Sequence, residues 1–265
     1  MTSELNFESL IAELGENVTK TSLGNMEFKE LKMSDQRKII NMSFNPIEIP
    51  ARVANIFNEF IKNSVTFTDD YVPNVSDVIT VDVKPFILTQ IRILTLGDVF
   101  YDRKSKNVYT INPIKDEDVI SSISPTSISY NNITIKLSVP TLTIDTQINN
   151  QLLNELSKFK KKLTDEEDYG KVSDIYQTYE IFKYITEIEM GGRVFNFADA
   201  PINKKMKIVN NLAPKIVSSI NEYIESSKAK GEENIIATNS DGNETITLDV
   251  STIFFENTAR VSKNG

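Results

Sequence analysis

Residues 85–97 read Pro-Phe-Ile-Leu-Thr-Gln-Ile-Arg-Ile-Leu-Thr-Leu-Gly, a stretch that is apolar almost all round. Pro85 suits the first turn of a helix, and Gly97 suits the position just past its end, where a positive φ is common. A helix that is apolar on every side has to be covered by other elements on every side. We therefore predict a helix at the centre of the N-terminal core, ended by a structural turn at Gly97.

A strand and two helices are predicted upstream of this helix. Residues 1–25 are expected to form a short amphipathic helix and a flexible N-terminal segment, and residues 26–32 alternate well enough for a short strand. A capped helix then begins near Ser34, and Pro50 begins a second helix with one apolar face. The polar stretch 66–77 is predicted to be a loop.

Short strands and then long helices are predicted downstream. Alternating apolar residues predict strands at 99–101, 108–111 and 133–139. Two apolar stripes with helical spacing follow, one of Ile148, Leu152, Leu156, Phe159 and Leu163, the other of Val172, Ile175, Tyr179, Phe182 and Ile185. The second half of the chain is therefore expected to be mainly helical.

Glycines and a proline divide the last third of the chain. Gly191 and Gly192 are predicted to stop the second of these helices, which runs to about Ile188, in a structural turn with at least one of them at positive φ. Residues 194–197 are predicted to be extended. Pro214 falls within a further helical stretch, which predicts either a kink or two consecutive helices.

The fold class predicted from these elements is α+β: mostly helical, with a small central β-sheet and a C-terminal β-hairpin. The hairpin is expected from strands at 235–238 and 245–248 on either side of a turn. The predicted organisation is an N-terminal helix or flexible segment over 1–25, an α/β region over 26–140, and a helical region over 141–265 that ends in the hairpin.

Composition excludes most catalytic chemistry. The chain of 265 residues contains no Cys, no His and no Trp. Disulfides, thiolate nucleophiles, thiolate zinc sites and Fe–S clusters need Cys, while Ser-His-Asp catalysis and imidazole metal ligands need His. The chemistry that remains is that of carboxylates, Lys, Tyr and hard cations held by oxygen atoms. We predict no catalytic residue, no metal and no cofactor.

The charge balance opposes nucleic-acid and membrane binding. The chain has 29 Lys and Arg against 37 Asp and Glu, a formal charge of −8, whereas both partners need a dense cationic surface. No apolar run reaches the roughly 20 residues of a membrane span. The first residues have neither the basic flank nor the apolar stretch of a signal peptide. We therefore expect an intracellular protein with no nucleic-acid or membrane partner.

Three polar clusters favour a structural role over a binding site. Asp165–Asp168 could bind a hard cation, but adjacent carboxylates point in different directions, which favours a solvated loop between helices. Residues 239–244 lack the ligand spacing of a calcium loop, which favours a hairpin turn. Gly191-Gly192-Arg193 would face a phosphate with the C-terminal end of a helix, which is the wrong pole of the helix dipole.

Two aromatic groups are also candidates for a functional role. Tyr176, Tyr179, Phe182 and Tyr184 form a stripe that core packing explains, with the Tyr hydroxyls expected to reach the surface. Phe254-Phe255 follows the predicted hairpin and is flanked by polar residues. This pair either folds back onto the domain or is the contact point for a partner, and the sequence leaves both interpretations open.

Three stretches carry a family resemblance through their apolar pattern and a few distinctive residues. The first stretch runs from Phe28-Lys29-Glu30-Leu31 through Asp35-Gln36-Arg37-Lys38 to the Val53–Ile61 helix. The second is Phe86–Gly97, in which Arg92 precedes Gly97-Asp98 by five positions.

The third stretch joins Phe182–Ile188, Gly191–Phe197 and Lys204–Tyr223. Together the three resemble the T4-like phage baseplate family, which comprises hub subunits and hub-assembly proteins of contractile-tailed bacteriophages. In that comparison Asp82 would be the acidic residue before the apolar helix. Some relatives close with a Cys-bearing, zinc-ribbon-like hairpin, whereas this chain has no Cys, and we predict no metal there.

The resemblance implies a non-enzymatic phage tail protein. It would be a baseplate hub subunit or a hub-assembly chaperone that works through protein–protein contacts with other hub or tail proteins, and an oligomer is left open. The expected location is the host-cell cytoplasm during assembly, or the tail baseplate of the virion. Two alternatives stay open: an intracellular protein-interaction domain unrelated to phage tails, and a metal-dependent hydrolase that uses carboxylates alone.

Overall fold

A computed structural model of the chain describes residues 20–40, 47–68, 74–102, 105–120, 122–158, 166–232 and 235–248. Its helices are Met33–Ile40 (α1), Ile49–Ser64 (α2), Val75–Val78 (α3), Lys84–Leu96 (α4), Asp116–Ile120 (α5), Leu142–Leu156 (α6), Glu166–Tyr184 (α7), Ile202–Val209 (α8) and Pro214–Glu232 (α9). Its strands are Lys20–Leu23 (β1), Met26–Lys29 (β2), Val65–Phe67 (β3), Val99–Tyr101 (β4), Val108–Ile111 (β5), Thr126–Tyr130 (β6), Ile133–Leu137 (β7), Ile185–Met190 (β8), Arg193–Asn196 (β9), Ile236–Asn239 (β10) and Thr245–Thr247 (β11).

The strands of this described part divide among three small antiparallel sheets. Their strand orders are β1-β2-β3, β11-β10-β5-β4 and β6-β7-β8-β9. The predicted mixed α+β class is confirmed, and so is the C-terminal hairpin, because β10 pairs with β11 in antiparallel register. The hairpin does not stand alone, since β10 also pairs with β5 from the first half of the chain.

The apolar helix α4 lies at the centre of one core, as its sequence predicted. Phe86, Ile87, Leu88 and Ile91 are each at most 1% exposed. Residues of the C-terminal hairpin join the same core, including Ala237. This arrangement follows from the sequence, because a helix with no polar face needs cover from both the preceding and the following elements. The boundaries predicted between the three regions of the chain, at residues 25/26 and 140/141, stay predictions.

A second core joins the β6–β9 sheet to α6, α7 and α9. Ile135 and Leu137 point from β7 toward the helices, and Phe182 and Ile220 meet them from α7 and α9. The clear alternation of β7 explains this packing, because residues two apart share one face of a sheet. The two cores meet at α2 and α6, which pack directly against each other.

Asp82, Arg92 and Gly97 contact the backbone at the two ends of α4 or shape it there. The guanidinium of Arg92 is fully buried and donates hydrogen bonds to the carbonyl oxygens of Gly97 and Val99. Gly97 ends the helix at φ +85, a region that glycine adopts at little cost. Asp82 is buried before α4, where its carboxylate accepts the backbone N–H of Ile123 at 2.7 Å. These contacts fix both ends of the central helix.

The prediction that one helix runs from Val172 to Ile188 is wrong at its end. The helix stops at Tyr184, and residues 185–190 form β8, which pairs with both β7 and β9. The apolar residues Ile185 and Ile188 fit a helical stripe. Hydrogen bonding and side-chain packing with the strands on both sides outweigh that local helical preference. Gly191 and Gly192 therefore form the turn of the β8–β9 hairpin and do not stop a helix, at φ +58 and +75.

Smaller differences from the sequence predictions lie around short elements. Residues 66–77, predicted as a loop, begin inside β3 and end inside α3. Residues 20–23 form β1, and the helix expected earlier in 1–25 lies outside the described residues. Of the two outcomes predicted at Pro214, the structure has consecutive helices, because α8 ends at Val209 and α9 begins at the proline. Proline suits that first position since it has no N–H to leave unpaired.

Candidate functional site

The helices α2, α4, α6, α7 and α9 surround a cavity of about 430 Å³. Each helix turns residues with helical spacing toward it: Val53, Ala54 and Phe57 from α2, and Asp145, Asn149 and Leu152 from α6. Residues three and four positions apart share one helix face, which is why these sets line the cavity together. The cavity combines apolar walls from α2 with a charged wall from α6 and α7.

Asp145 is the centre of a buried ion network on the charged wall. Its Oδ1 lies 2.7 Å from Lys183 Nζ, and its Oδ2 lies 3.4 Å from Lys84 Nζ. The amide of Asn58 donates to the same Oδ2 at 2.8 Å. The Asp145 side chain is only 5% exposed, and a buried carboxylate needs such partners to remain ionised.

The pKa directions follow from this geometry. Burial alone would raise the pKa of Asp145, but the charges of Lys183 and Lys84 outweigh burial and hold the pKa well below its usual range. Burial would lower the pKa of Lys183, but Asp145 and Glu180 outweigh it and raise that pKa. At Lys84 burial is the larger effect, so its pKa is lowered despite Asp145. The Asp145 carboxylate therefore stabilises the charged form of Lys183 more than the charged form of Lys84.

The two lysines differ because their partners differ. Lys183 contacts two carboxylates, Asp145 at 2.7 Å and Glu180 at 2.8 Å. Lys84 has its short hydrogen bond, 2.8 Å, to the neutral amide oxygen of Asn58. Lys84 is thus the less fully compensated cation of the cavity.

Asn149 adds an unpaired donor to the same wall. It lies one helical turn after Asp145 on α6, and the residue is 2% exposed. Its Nδ2 has no hydrogen-bond partner among the residues that the structure describes. A buried amide donor without a partner costs about 1–3 kcal/mol, so this position favours an acceptor inside the cavity.

The aromatic stripe packs inward, as predicted, but its hydroxyls do not all reach the surface. Tyr184 is 1% exposed, and its hydroxyl lies 2.9 Å from the hydroxyl of Ser227 on α9. The hydroxyl of Tyr176 donates to the carbonyl oxygen of Ile47 at 2.6 Å. Both hydroxyls find partners inside the fold, because the segment before α2 and the helix α9 lie next to α7 at these two positions.

A second candidate site lies at the exposed end of the β6–β9 sheet. Tyr130, Ile133, Met190 and Arg193 lie opposite one another across the four strands, in the row nearest the two hairpin turns. The next row inward contains Ile135, which is fully buried. Successive rows two residues apart share a face, so the apolar face of this sheet continues beyond the region that the helices cover.

Exposure identifies the residues of this second site. Tyr130, Met190, Val194 and Phe195, here called the sheet tip, are 37%, 56%, 61% and 38% exposed. Strand β9 is also the edge of its sheet, and all its residues are exposed. Met190 and Phe195 share one face of the sheet next to the β9 edge, whereas Val194 points to the other face and Tyr130 lies on the opposite edge strand, β6. Exposed apolar residues next to a strand edge that no other described strand pairs with are typical of a contact surface.

The candidate site residues that the sequence indicated lie in different parts of the chain, and the structure does not describe all of them. Phe254-Phe255 and the side chains of Asp165–Asp168 lie outside the described residues. In 239–244, Asn239 Oδ1 accepts the backbone N–H of Asn243 at 2.9 Å, which makes this segment the turn of the β10–β11 hairpin. Among the described residues, no group of three or more acidic side chains is placed to hold a metal ion.

The charged wall of the cavity was missed at the sequence level. Lys84 and Asp145 are 61 positions apart, so no local motif joins them. The sequence did contain one sign of a buried ion pair. Asp145 lies three positions before Ile148 of the α6 apolar stripe, and Lys183 directly follows Phe182 of the α7 stripe. A charged residue on a buried face needs a buried partner.

Comparisons of the chain with protein-family models, with curated proteins and with solved structures found no match. Of the helices in the described part of the chain, none is long and apolar enough to cross a bilayer.

Proposed function

We propose that the protein is a non-enzymatic component of a contractile phage tail, either a baseplate hub subunit or a hub-assembly chaperone, and that it acts through protein–protein contacts. The sheet tip is the observation that carries this proposal. Met190, Val194 and Phe195 are accessible at or next to β9, an edge strand among the described residues, and Tyr130 is accessible on the opposite edge strand β6. A partner that covers them gains about 25 cal/mol for each Å² of apolar surface removed from water.

The shape of the sheet tip suits a contact with an ordered partner surface or strand. The hairpin turn at Gly191-Gly192 places Met190 and Phe195 on one face of adjacent strands and Val194 on the other face. The backbone groups along the free edge of β9 can pair with another strand, which adds main-chain hydrogen bonds to the apolar contact. The sheet tip would then either join a hub subunit to its neighbours or let an assembly factor cover a hub component.

The sequence resemblance supports the phage-tail assignment independently of the sheet tip. Asp82, Arg92 and Gly97, which carry part of that resemblance, fix the two ends of the buried helix α4. They are therefore positions at which the fold constrains residue type, because a substitution would leave buried groups unpaired.

Binding to candidate hub components tests the proposal. The protein is co-expressed with each hub and tail protein of the same phage, and the complexes are isolated by affinity purification. The double variant Met190→Lys with Val194→Lys is expected to lose the partner while it keeps the melting temperature of the wild type, because both side chains lie in solvent. Mass spectrometry of purified phage particles then separates a virion subunit from an assembly factor.

A matched control is available elsewhere on the surface. Met33 on α1 and Val78 on α3 are 64% and 50% exposed, so Met33→Lys with Val78→Lys changes the same residue types at similar exposure. This control should retain binding. If both double variants bind as the wild type does, the sheet tip is not the contact.

The C-terminal pair supplies a second test from the sequence. The double variant Phe254→Ala with Phe255→Ala is expected to lose the hub partner with little change in melting if these rings are an anchor. An unfolded variant would instead assign them to the core. Binding only to proteins unrelated to tails would favour the general interaction domain, and metal-dependent hydrolysis that EDTA abolishes would favour the hydrolase.

A further inference from the structure

We propose that the cavity between α2, α4, α6, α7 and α9 binds a small aliphatic carboxylate, with its anionic group at Lys84 and Asn149. The inference is independent of the phage-tail proposal. It rests on three features of the cavity: its poorly compensated cation, its unpaired donors and its apolar wall.

One cation of the cavity is poorly compensated. Lys84, Lys183 and Lys228 face Asp145 and Glu180 across it, and Lys228 also pairs with Glu225 at 3.5 Å. The three ammonium groups and three carboxylates balance formally, so the attraction for an anion depends on how the contacts are shared among them. A ligand with a single negative charge would lie beside the least compensated ammonium group, and charges attract more strongly there than in bulk water.

The contacts within the network leave Lys84 as the least compensated cation. Both oxygens of Asp145 are occupied, one by Lys183 and the other by Asn58 at 2.8 Å. Lys183 is also bonded to Glu180, and Lys228 contacts both Glu180 at 3.7 Å and Glu225 at 3.5 Å. Among the described residues, Lys84 has only the longer contact to Asp145, 3.4 Å, and an uncharged hydrogen-bond acceptor.

Two residues that line the cavity have donors without a full set of acceptors. An ammonium group has three donors, and the described residues provide acceptors for two of those on Lys84. The Nδ2 of Asn149 has no acceptor among the described residues, although it is almost fully buried. A carboxylate offers acceptor oxygens for both donors.

The apolar part of the lining specifies the rest of the ligand. Ala51, Val53, Ala54 and Phe57 on α2 and Leu88 on α4 line the cavity with apolar surface. A volume of about 430 Å³ is within the range of small-molecule sites, which combine mainly apolar walls with a few polar groups. An unbranched aliphatic chain of modest length fits these requirements, whereas a sugar or a nucleotide would leave its polar groups unpaired.

Calorimetric titration with sodium octanoate tests the inference, with octan-1-ol as the neutral probe of the same length. The ten heavy atoms of octanoate make a Kd of about 1 mM or tighter reasonable. Octanol, which lacks the charge, should bind at least about tenfold more weakly. Equal affinity for the two probes, or no saturable binding of octanoate, would overturn the proposal, since the cavity would then be merely apolar or hold only water.

Variants locate the binding within the cavity. Lys84→Met removes the cation while it keeps the length of the side chain, and it should weaken octanoate about tenfold or more. Asn149→Leu leaves every charge in place and should also weaken octanoate, so it tests the site even if Lys84→Met fails to fold. Lys204→Met makes the same change as Lys84→Met at an exposed lysine on α8 and should leave binding unchanged. If Lys84→Met and Asn149→Leu both bind octanoate as Lys204→Met and the wild type do, the site lies elsewhere and the inference is wrong.

Discussion

Lys183 Nζ and Asp145 Oδ1 are 2.7 Å apart, and the two side chains are 8% and 5% exposed. This ion pair links α6 to α7 in the interior of the protein. Two opposite charges so close together stabilise each other, but both have lost most of their contact with water. The fold therefore depends on keeping the pair complete, which gives three predictions about stability.

Removing the carboxylate of Asp145 should destabilise the protein strongly. The variant Asp145→Asn keeps the shape of the side chain but leaves Lys84 and Lys183 without their shared counter-ion. Breaking a buried pair in this way costs about 3–5 kcal/mol, and urea unfolding measures the loss. Glu225→Gln makes the same chemical change at a side chain that is 73% exposed, and it should change the free energy of unfolding by less than about 0.5 kcal/mol.

The two lysines bonded to Asp145 should differ sharply when each is replaced by Met. Lys183→Met removes the short contacts to both Asp145 and Glu180 and should cost about 3–5 kcal/mol. Lys84→Met leaves Asp145 paired with Lys183 and removes an ammonium group whose burial lowers its pKa, so the change should be below about 1 kcal/mol or stabilising. Equal losses in urea unfolding would show that the two cations are equally compensated.

The pH dependence of stability should show the contribution of Asp145. Its pKa in the folded state is held below the usual value, so its contribution is complete above the unfolded pKa of about 3.9. The contribution is lost as the pH falls through the lower, folded pKa. The difference in free energy of unfolding between wild type and Asp145→Asn should therefore be constant near neutral pH and shrink below about pH 4. A difference that stays constant down to pH 2 would contradict the assignment.

Local patterns were sufficient to predict elements whose own residues decide their structure. Helix α4 was predicted with its position in the core, because a segment without a polar face has nowhere else to lie. Strands β4 and β5 were predicted at their observed residues, and the C-terminal hairpin to within one residue at each strand end. In each of these elements the apolar period, the flanking turn residues and the final packing favour the same structure.

Elements that depend on distant partners were not predicted. Residues 185–190 carry Ile185 and Ile188 at helical spacing, and their strand structure requires β7, which is about 50 positions earlier in the chain. Strand β3 similarly depends on pairing with β2. The charged wall was missed for the same reason, because Lys84, Asp145 and Lys183 are brought together by the packing of three helices and share no local motif.

Two glycines in different backbone conformations should respond oppositely to the same substitution. Gly191 lies in the β8–β9 turn at φ +58, with nothing within 4 Å of the position a Cβ would occupy. Gly191→Ala should therefore destabilise by about 1–2 kcal/mol through backbone strain alone, and Gly191→Val by about 1–3 kcal/mol. Gly170 lies within α7 and has equally open surroundings. Gly170→Ala should stabilise by about 1 kcal/mol, because Ala loses less backbone entropy than Gly in a helix. Thermal and urea unfolding of the two Ala variants measure whether each change raises or lowers the free energy of unfolding. If Gly191→Ala is as stable as the wild type, the turn does not require the left-handed conformation, and the hairpin that presents Met190 and Val194 is held by other contacts.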